Sequence, residues 1–244
     1  MAELSVNLKG KTALVTGAGA GVARAVALAL AHSGAQVMLN DLNPDKLERL
    51  EDEIKALGVG VSAFHADVSN RFQASALIEK ARDAFGRVDI LVNGAGVYKQ
   101  DELLKIDEWD IRRQMEINVI GTFFMCQLVG RVMKDEGGGC MVNLSAAVGR
   151  GGRLEHGVGY VASKAGILGL TRQSAQELAP YGVRVNAVCY GNVDEPDMPQ
   201  TTPHNALQRR AKPDEVTGAV LFLCSDSASF ITGQSITVDG GDIV

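Results

Sequence analysis

Residues 12–23 read TALVTGAGAGVA, and the reading of this stretch decides the fold. Thr12 to Thr16 is a short apolar run of strand character, followed at once by Gly17, Gly19 and Gly21. An Ala-rich helical pattern then runs over residues 22–32. Glycines let a chain leave a strand, turn tightly and bring its backbone close to a ligand. The helix that follows offers unbonded N–H groups and its positive dipole end to an anion. A glycine cluster alone serves any tight turn. Placed after the first strand of an alternating chain, it points to a dinucleotide pyrophosphate, with Val22 at the helix start.

The alternation extends through the chain. Strand patterns fall at residues 36–40 (QVMLN), 61–65, 89–93 (DILVN), 140–144 (CMVNL), 184–188 (RVNAV) and 235–238 (SITV). Between them, residues 44–57 carry Leu47, Leu50, Ile54 and Leu57 at helical spacing, with charge on the other face. Helices are also expected at 70–85, 107–134 (one long helix or two), 159–179 and 214–223. Regular alternation of this kind implies right-handed crossovers. The expected fold is therefore α/β, a single-domain, doubly wound Rossmann-type sheet of about seven mostly parallel strands with helices on both faces. No repeat or linker divides residues 1–244, so one domain is expected, with ligands beyond the carboxyl ends of the strands.

Composition narrows the function classes. The chain of 244 residues is 46% hydrophobic and 22% charged, enough to bury a core and too apolar for disorder. With 24 Lys and Arg against 29 Asp and Glu, the net charge is −5, which disfavours nucleic acid and anionic membranes as partners. No stretch reads as a membrane span or a secretory signal. Cys126, Cys140, Cys189 and Cys224 form no C-x-x-C pair and sit among apolar residues, which reads as buried reduced thiols in a cytoplasmic protein with no metal site.

The second strand ends at Asn40-Asp41. A carboxylate there accepts hydrogen bonds from ribose hydroxyls and repels a 2′-phosphate, which argues for NAD over NADP. No Lys or Arg lies between Gly17 and Val22 to offset it. The plainer reading is that Asp41 caps the next helix.

Taken together, these motifs resemble the short-chain dehydrogenase/reductase family over essentially the whole chain, nearest its β-ketoacyl reductase and hydroxysteroid dehydrogenase branch. Thr16, Gly17 and Gly21 resemble its glycine motif, with Ala23 at the last glycine position. Asp67-Val68 resembles the adenine-flanking pair, and Asn93-Gly94-Ala95-Gly96 the motif that supports the central strand. Asn118 matches the helix asparagine, and Tyr160-x-x-x-Lys164 the catalytic pair. The carboxyl-terminal run from Ile231 to Gly241 also fits.

The resemblance implies NAD(H) contacts at Gly17, Gly21, Val22, Asp41, Asp67, Val68, Asn93, Ala95, Gly96, Tyr160, Lys164, Gly191 and Val193. It implies a small alcohol or ketone substrate and a homodimer or homotetramer packed through the helices of 107–134 and 159–179. Tyr160 and Lys164 are four residues apart and share a helix face. A phenol of pKa ~10 is a poor acid–base at neutral pH. The Lys164 ammonium would lower it, hold the nicotinamide ribose, and leave Tyr160 to exchange a proton with the substrate oxygen. Asn118 would hold a relay water.

Three places depart from the family pattern. A serine usually stands at the end of the fifth strand and donates to the substrate oxygen. Here the run is Leu144-Ser145-Ala146-Ala147-Val148-Gly149, and either register puts Ala146 or Ala147 at that position. Losing one such donor typically costs roughly a hundred- to a thousand-fold in rate. Ser145 is the neighbouring candidate, although strand alternation turns it to the other face; His156, in the loop 153–156, is a second, and an altered reaction a third. After the sixth strand the usual Pro-Gly is Tyr190-Gly191, and Glu195 lies at or beside a threonine position. A carboxylate there would accept from the nicotinamide carboxamide and favour the positive NAD⁺ ring, or it is simply a solvated loop acid. The lid segment 191–212, with Pro199 and Pro203 in its 198–210 part, leaves room for one helical turn at best.

Two functions stay open at this point. One is an NAD-dependent enzyme interconverting a secondary alcohol and a ketone through Tyr160, Lys164 and Asn118. The other is an altered or non-catalytic family member that binds NAD(H) as a structural or sensing ligand.

Overall fold

In the computed structural model, the described residues are 6–152, 154–195 and 204–243. Arg153 and the lid residues 196–203, with Met198, Pro199 and Pro203, lie outside them. Seven strands form one sheet in the order β3-β2-β1-β4-β5-β6-β7, every pair parallel. They are β1 (Thr12–Thr16), β2 (Gln36–Asp41), β3 (Val61–His65), β4 (Ile90–Asn93), β5 (Gly139–Ala146), β6 (Val183–Tyr190) and β7 (Ser235–Val238). The helices are α1 (Gly21–His32), α2 (Pro44–Lys55), α3 (Arg71–Phe85), α4 (Glu108–Met115), α5 (Thr122–Glu136), α6 (Val158–Leu178) and α7 (Asp214–Cys224).

Side-chain alternation on the strands explains why both faces are covered. Ala13, Val15, Val37, Leu39, Val92 and Val142 pack with α1, α2 and α7 in one cluster. Leu14, Met38, Leu91, Met141 and Val185 point the other way, into a second cluster with α3 and α5. Strands buried on both faces read as continuous apolar runs, as TALV and ILV do here.

Two departures from the sequence reading matter for the site. The span 107–134 is two helices joined by a π-helical turn over Glu116–Gly121, which contains Asn118. Such turns often mark functional positions. Strands β5 and β6 run two residues further than their apolar patterns, to a last pair of Ala146 with Tyr190. Among the described residues between β6 and α7 there is no α-helix, and the flanks are tied by hydrogen bonds from Asp194 N to Ala211 O and from Ala211 N to Asn192 O. No helix among the described residues is long and apolar enough to cross a membrane.

Leu14 is fully buried on the interior strand β1 and pairs in register with Met38 and Leu91. Leu14→Ala is expected to destabilise the fold by about 3 kcal/mol, seen as a lower denaturation midpoint at an unchanged denaturant slope.

Candidate active site

A cleft of about 400 Å³ opens at the carboxyl ends of β1 to β4, where β1 and β4 send the chain in opposite directions. Its floor is the glycine turn. Gly17 has φ +67°, and a Cβ there would meet the Ala95 backbone at 2.7 Å. The Thr16 hydroxyl accepts from Gly94 N at 3.1 Å and Ala95 N at 3.2 Å, tying this turn to the loop after β4. Ala95, Gly96, Gly21, Val22, Asp67 and Val68 all face the cleft.

Asp41 stands at the far end of the cleft. Its Oδ2 accepts from Gly19 N and its Oδ1 from Asn43 N, each at 2.9 Å, so the carboxylate is fixed rather than free. The cap of α2 is Asn43, which accepts from Lys46 N. Asp67 accepts from both the Ser69 hydroxyl and its backbone N–H, and pairs with Arg113 at 3.3 Å. Burial opposes its ionisation, but these donors and the guanidinium outweigh that and hold it below the usual carboxylate range. Asn93 does not face the cleft. Its Nδ2 donates to Asn143 Oδ1 at 2.8 Å in the sheet interior, where it joins β4 to β5.

The first turns of α6 carry Tyr160 and Lys164, both nearly fully buried. Lys164 Nζ donates to Leu144 O at 3.2 Å and lies 5.5 Å from the centre of the Tyr160 ring. Burial pulls its pKa down to about 8, opposed by the Glu195 carboxylate. Burial also pushes the Tyr160 phenol well above its ordinary range, reinforced by Glu195 and Tyr98. The lowering expected of Tyr160 from Lys164 does not arise in the ligand-free structure, where burial, Glu195 and Tyr98 all raise the phenol.

Asn118 is fully buried beside them. Its Oδ1 accepts from Val97 N at 2.8 Å, and its Nδ2 donates to Val97 O at 3.0 Å and Ser163 Oγ at 2.9 Å. The side chain thus staples the loop after β4 to α6. A Cβ on Gly96 would sit 3.3 Å from Asn118 Oδ1 and 3.5 Å from Lys164 Nζ, so glycine leaves that approach open.

The structure corrects the reading of Ser145 as a substrate-facing donor. Its side chain is wholly buried, and its hydroxyl donates to the Lys164 carbonyl at 2.9 Å. Alternation along β5 turns it into α6, while Ala146 and Ala147 face a smaller chamber next to Tyr160. His156 fares no better. It is exposed in a left-handed turn at φ +54° and lines neither cavity, though its carbonyl accepts from Asp101 N. Gly191 and Val193 border the smaller chamber instead of the main cleft.

Tyr98 and Tyr190 are the site residues that sequence motifs did not assign. Both line the cleft and the chamber together with Tyr160. Tyr98 meets the Tyr160 ring edge-on at 4.9 Å. The sequence signals were an aromatic two places after Gly96 and a tyrosine in place of a proline.

Glu195 also lies elsewhere than expected. Its Oε1 accepts from Val22 N at 2.8 Å, at the amino end of α1, and a Cβ on Gly21 would run into the same carboxylate. It sits at the helix end where an anion would be favoured.

Comparison with known proteins agrees with this geometry. A family model described as Enoyl-(Acyl carrier protein) reductase matches residues 17–242. The chain is 36% identical to a 3-oxoacyl-(acyl-carrier-protein) reductase FabG of Thermotoga maritima, covering 98% of this chain and 100% of that one. It is 34% identical to a 7alpha-hydroxysteroid dehydrogenase of Escherichia coli K12, covering 98% and 96%. A crystal structure of a short-chain type dehydrogenase/reductase from Mycobacterium marinum superposes with a TM-score of 0.93 at 32% identity, covering 96% of each chain.

The buried lysine carries a stability cost that can be measured. Because its pKa falls from 10.5 to about 8 on folding, the unfolded chain binds more protons between those values. Stability contributed by this group therefore rises with pH across that window and is lowest below pH 8. Lys164→Met is expected to raise Tm at pH 7 by roughly 5 °C and to flatten the rise in stability between pH 8 and 10.

Proposed function

Because the chain belongs to the short-chain dehydrogenase/reductase family, we propose that it is an NAD(H)-dependent oxidoreductase interconverting a secondary alcohol and a ketone, with Tyr160 as general acid/base. The observation that carries this reading is the position of Tyr160, which borders both the long cleft and the chamber beside it, with Lys164 one turn away. The relatives are named as enzymes of this chemistry, one reducing a 3-oxoacyl group and one acting on a hydroxysteroid. They lend no support to a role limited to binding.

The cleft fits a dinucleotide at both ends. The α1 terminus would offer Val22 N–H to a pyrophosphate in place of the Glu195 carboxylate that now accepts from it. Asp41 suits a ribose diol and repels a 2′-phosphate, which supports NAD over NADP. Asp67 and Val68 would flank the adenine, and Ala95 and Gly96 the middle of the cofactor. When bound, the nicotinamide supplies or accepts the hydride. The chain's part is to hold a substrate oxygen at Tyr160, which gives up its proton in reduction and takes one back in oxidation. Burial keeps that phenol protonated, the form that reduction needs. Lys164 supplies the positive charge, and Asn118 positions α6 against the loop after β4.

A homodimer or homotetramer packed through α5 and α6 belongs to the same proposal, as does a cytoplasmic location. Ile120 and Phe123 are exposed apolar side chains near the start of α5, and nothing lies within 4 Å of a Cβ built on Gly169 of α6.

Four outcomes test the proposal. NADH absorbance should change with members of a panel of secondary alcohols and ketones. Tyr160→Phe should lower kcat at least about a hundred-fold while leaving the NADH Kd near its original value. Loss of activity no greater than twofold in that variant would refute its role. Asp41→Ala should narrow the preference for NADH over NADPH, and an unchanged ratio would remove Asp41 from cofactor choice. Glu195→Gln, which removes a charge that competes for the anion seat, should tighten NADH binding about tenfold by fluorescence titration.

A further inference from the structure

The last pair in the β5–β6 ladder is Ala146 with Tyr190. Register partners on neighbouring parallel strands project to the same face of the sheet. Ala146 borders the chamber beside Tyr160, and so does Tyr190. Where the end of the fifth strand offers only a methyl group, the end of the sixth therefore offers a phenol on the same side.

We propose that Tyr190 is a catalytic residue, the hydrogen-bond donor that holds the substrate oxygen opposite Tyr160 in place of the hydroxyl missing at Ala146. This rests on the oxidoreductase reading above. Two other side-chain donors around the chamber, Arg210 and Tyr98, are less suited. The Arg210 guanidinium donates to Val193 O and stands 4.0 Å from Asp194. Tyr98 comes from the loop after β4 and packs edge-on against the Tyr160 ring. The Tyr190 hydroxyl has no hydrogen-bond partner among the described residues, and the residue lines both cavities.

The chemistry needs two donors with different fates. As hydride reaches the carbonyl carbon, the π electron pair moves to oxygen, and the Tyr160 O–H bond breaks to protonate it. Tyr190 keeps its proton throughout and stabilises the developing charge by hydrogen bonding. Burial, with Tyr160 and Glu195 nearby, pushes the Tyr190 phenol well above its ordinary range, so it stays a neutral donor.

The test needs no knowledge of the natural substrate. Isobutyramide presents a ketone-like carbonyl that hydride does not reduce. It is titrated into the full chain saturated with NADH, and binding is read from nicotinamide fluorescence. Tyr190→Phe is expected to keep the NADH Kd within about twofold and to weaken the amide about tenfold. Adding Ala146→Ser to Tyr190→Phe should recover most of that loss, because it restores a donor on the paired strand. Equal amide affinity in wild type and Tyr190→Phe overturns the proposal, as does an amide that fails to bind the wild-type NADH complex. If NADH itself does not bind, the oxidoreductase reading falls, and this inference falls with it for a different and recognisable reason.

Discussion

A chain of buried hydrogen bonds fixes where the chemistry stands. Asn93 on β4 donates to Asn143 on β5, and Asn143 donates to Thr171 on α6. About two turns earlier on α6, Ser145 donates to the Lys164 carbonyl, and Asn118 donates to Ser163. Each bond lies in an interior where an unpaired polar group costs more than a pair gains. The helix therefore has one rotation and one height against the sheet at which its buried polar groups are satisfied. Tyr160 and Lys164 inherit their positions from that constraint. A buried ammonium destabilises the fold near neutral pH, and the network holds it in place regardless.

What was legible in the sequence was local. The glycine turn, Asp41 at the end of β2, Asp67 just after β3, and the Tyr160–Lys164 spacing depend on residues close in the chain. The bounds of β1, β3 and β7 follow from short apolar runs alone. The features the sequence did not reveal depend on pairing between distant segments. Ser145 turns away from the chamber because β5 keeps its alternation through Ala146, two residues beyond its apolar core. The meaning of Tyr190 follows from its register partner 44 positions earlier, which no motif records. Asn118 reads as a relay residue in the pattern, yet its side-chain bonds in the structure join two chain segments to each other.

The amino end of α1 shows how function overrides local stability. An efficient helix start would place Ser, Thr, Asp or Asn at the cap, worth about 1 kcal/mol over alanine. Here the cap is Ala20, with no side-chain bond and no acid in the first turn. A permanent local cap would fill the space a phosphate needs. The N–H of Val22 is satisfied instead by Glu195, 173 residues away in sequence, on the segment that follows β6. A carboxylate carried on a separate loop complements the helix dipole as a local acid would. The same carboxylate raises the pKa of both Tyr160 and Lys164. The anion seat and the acid–base pair thus share one charge.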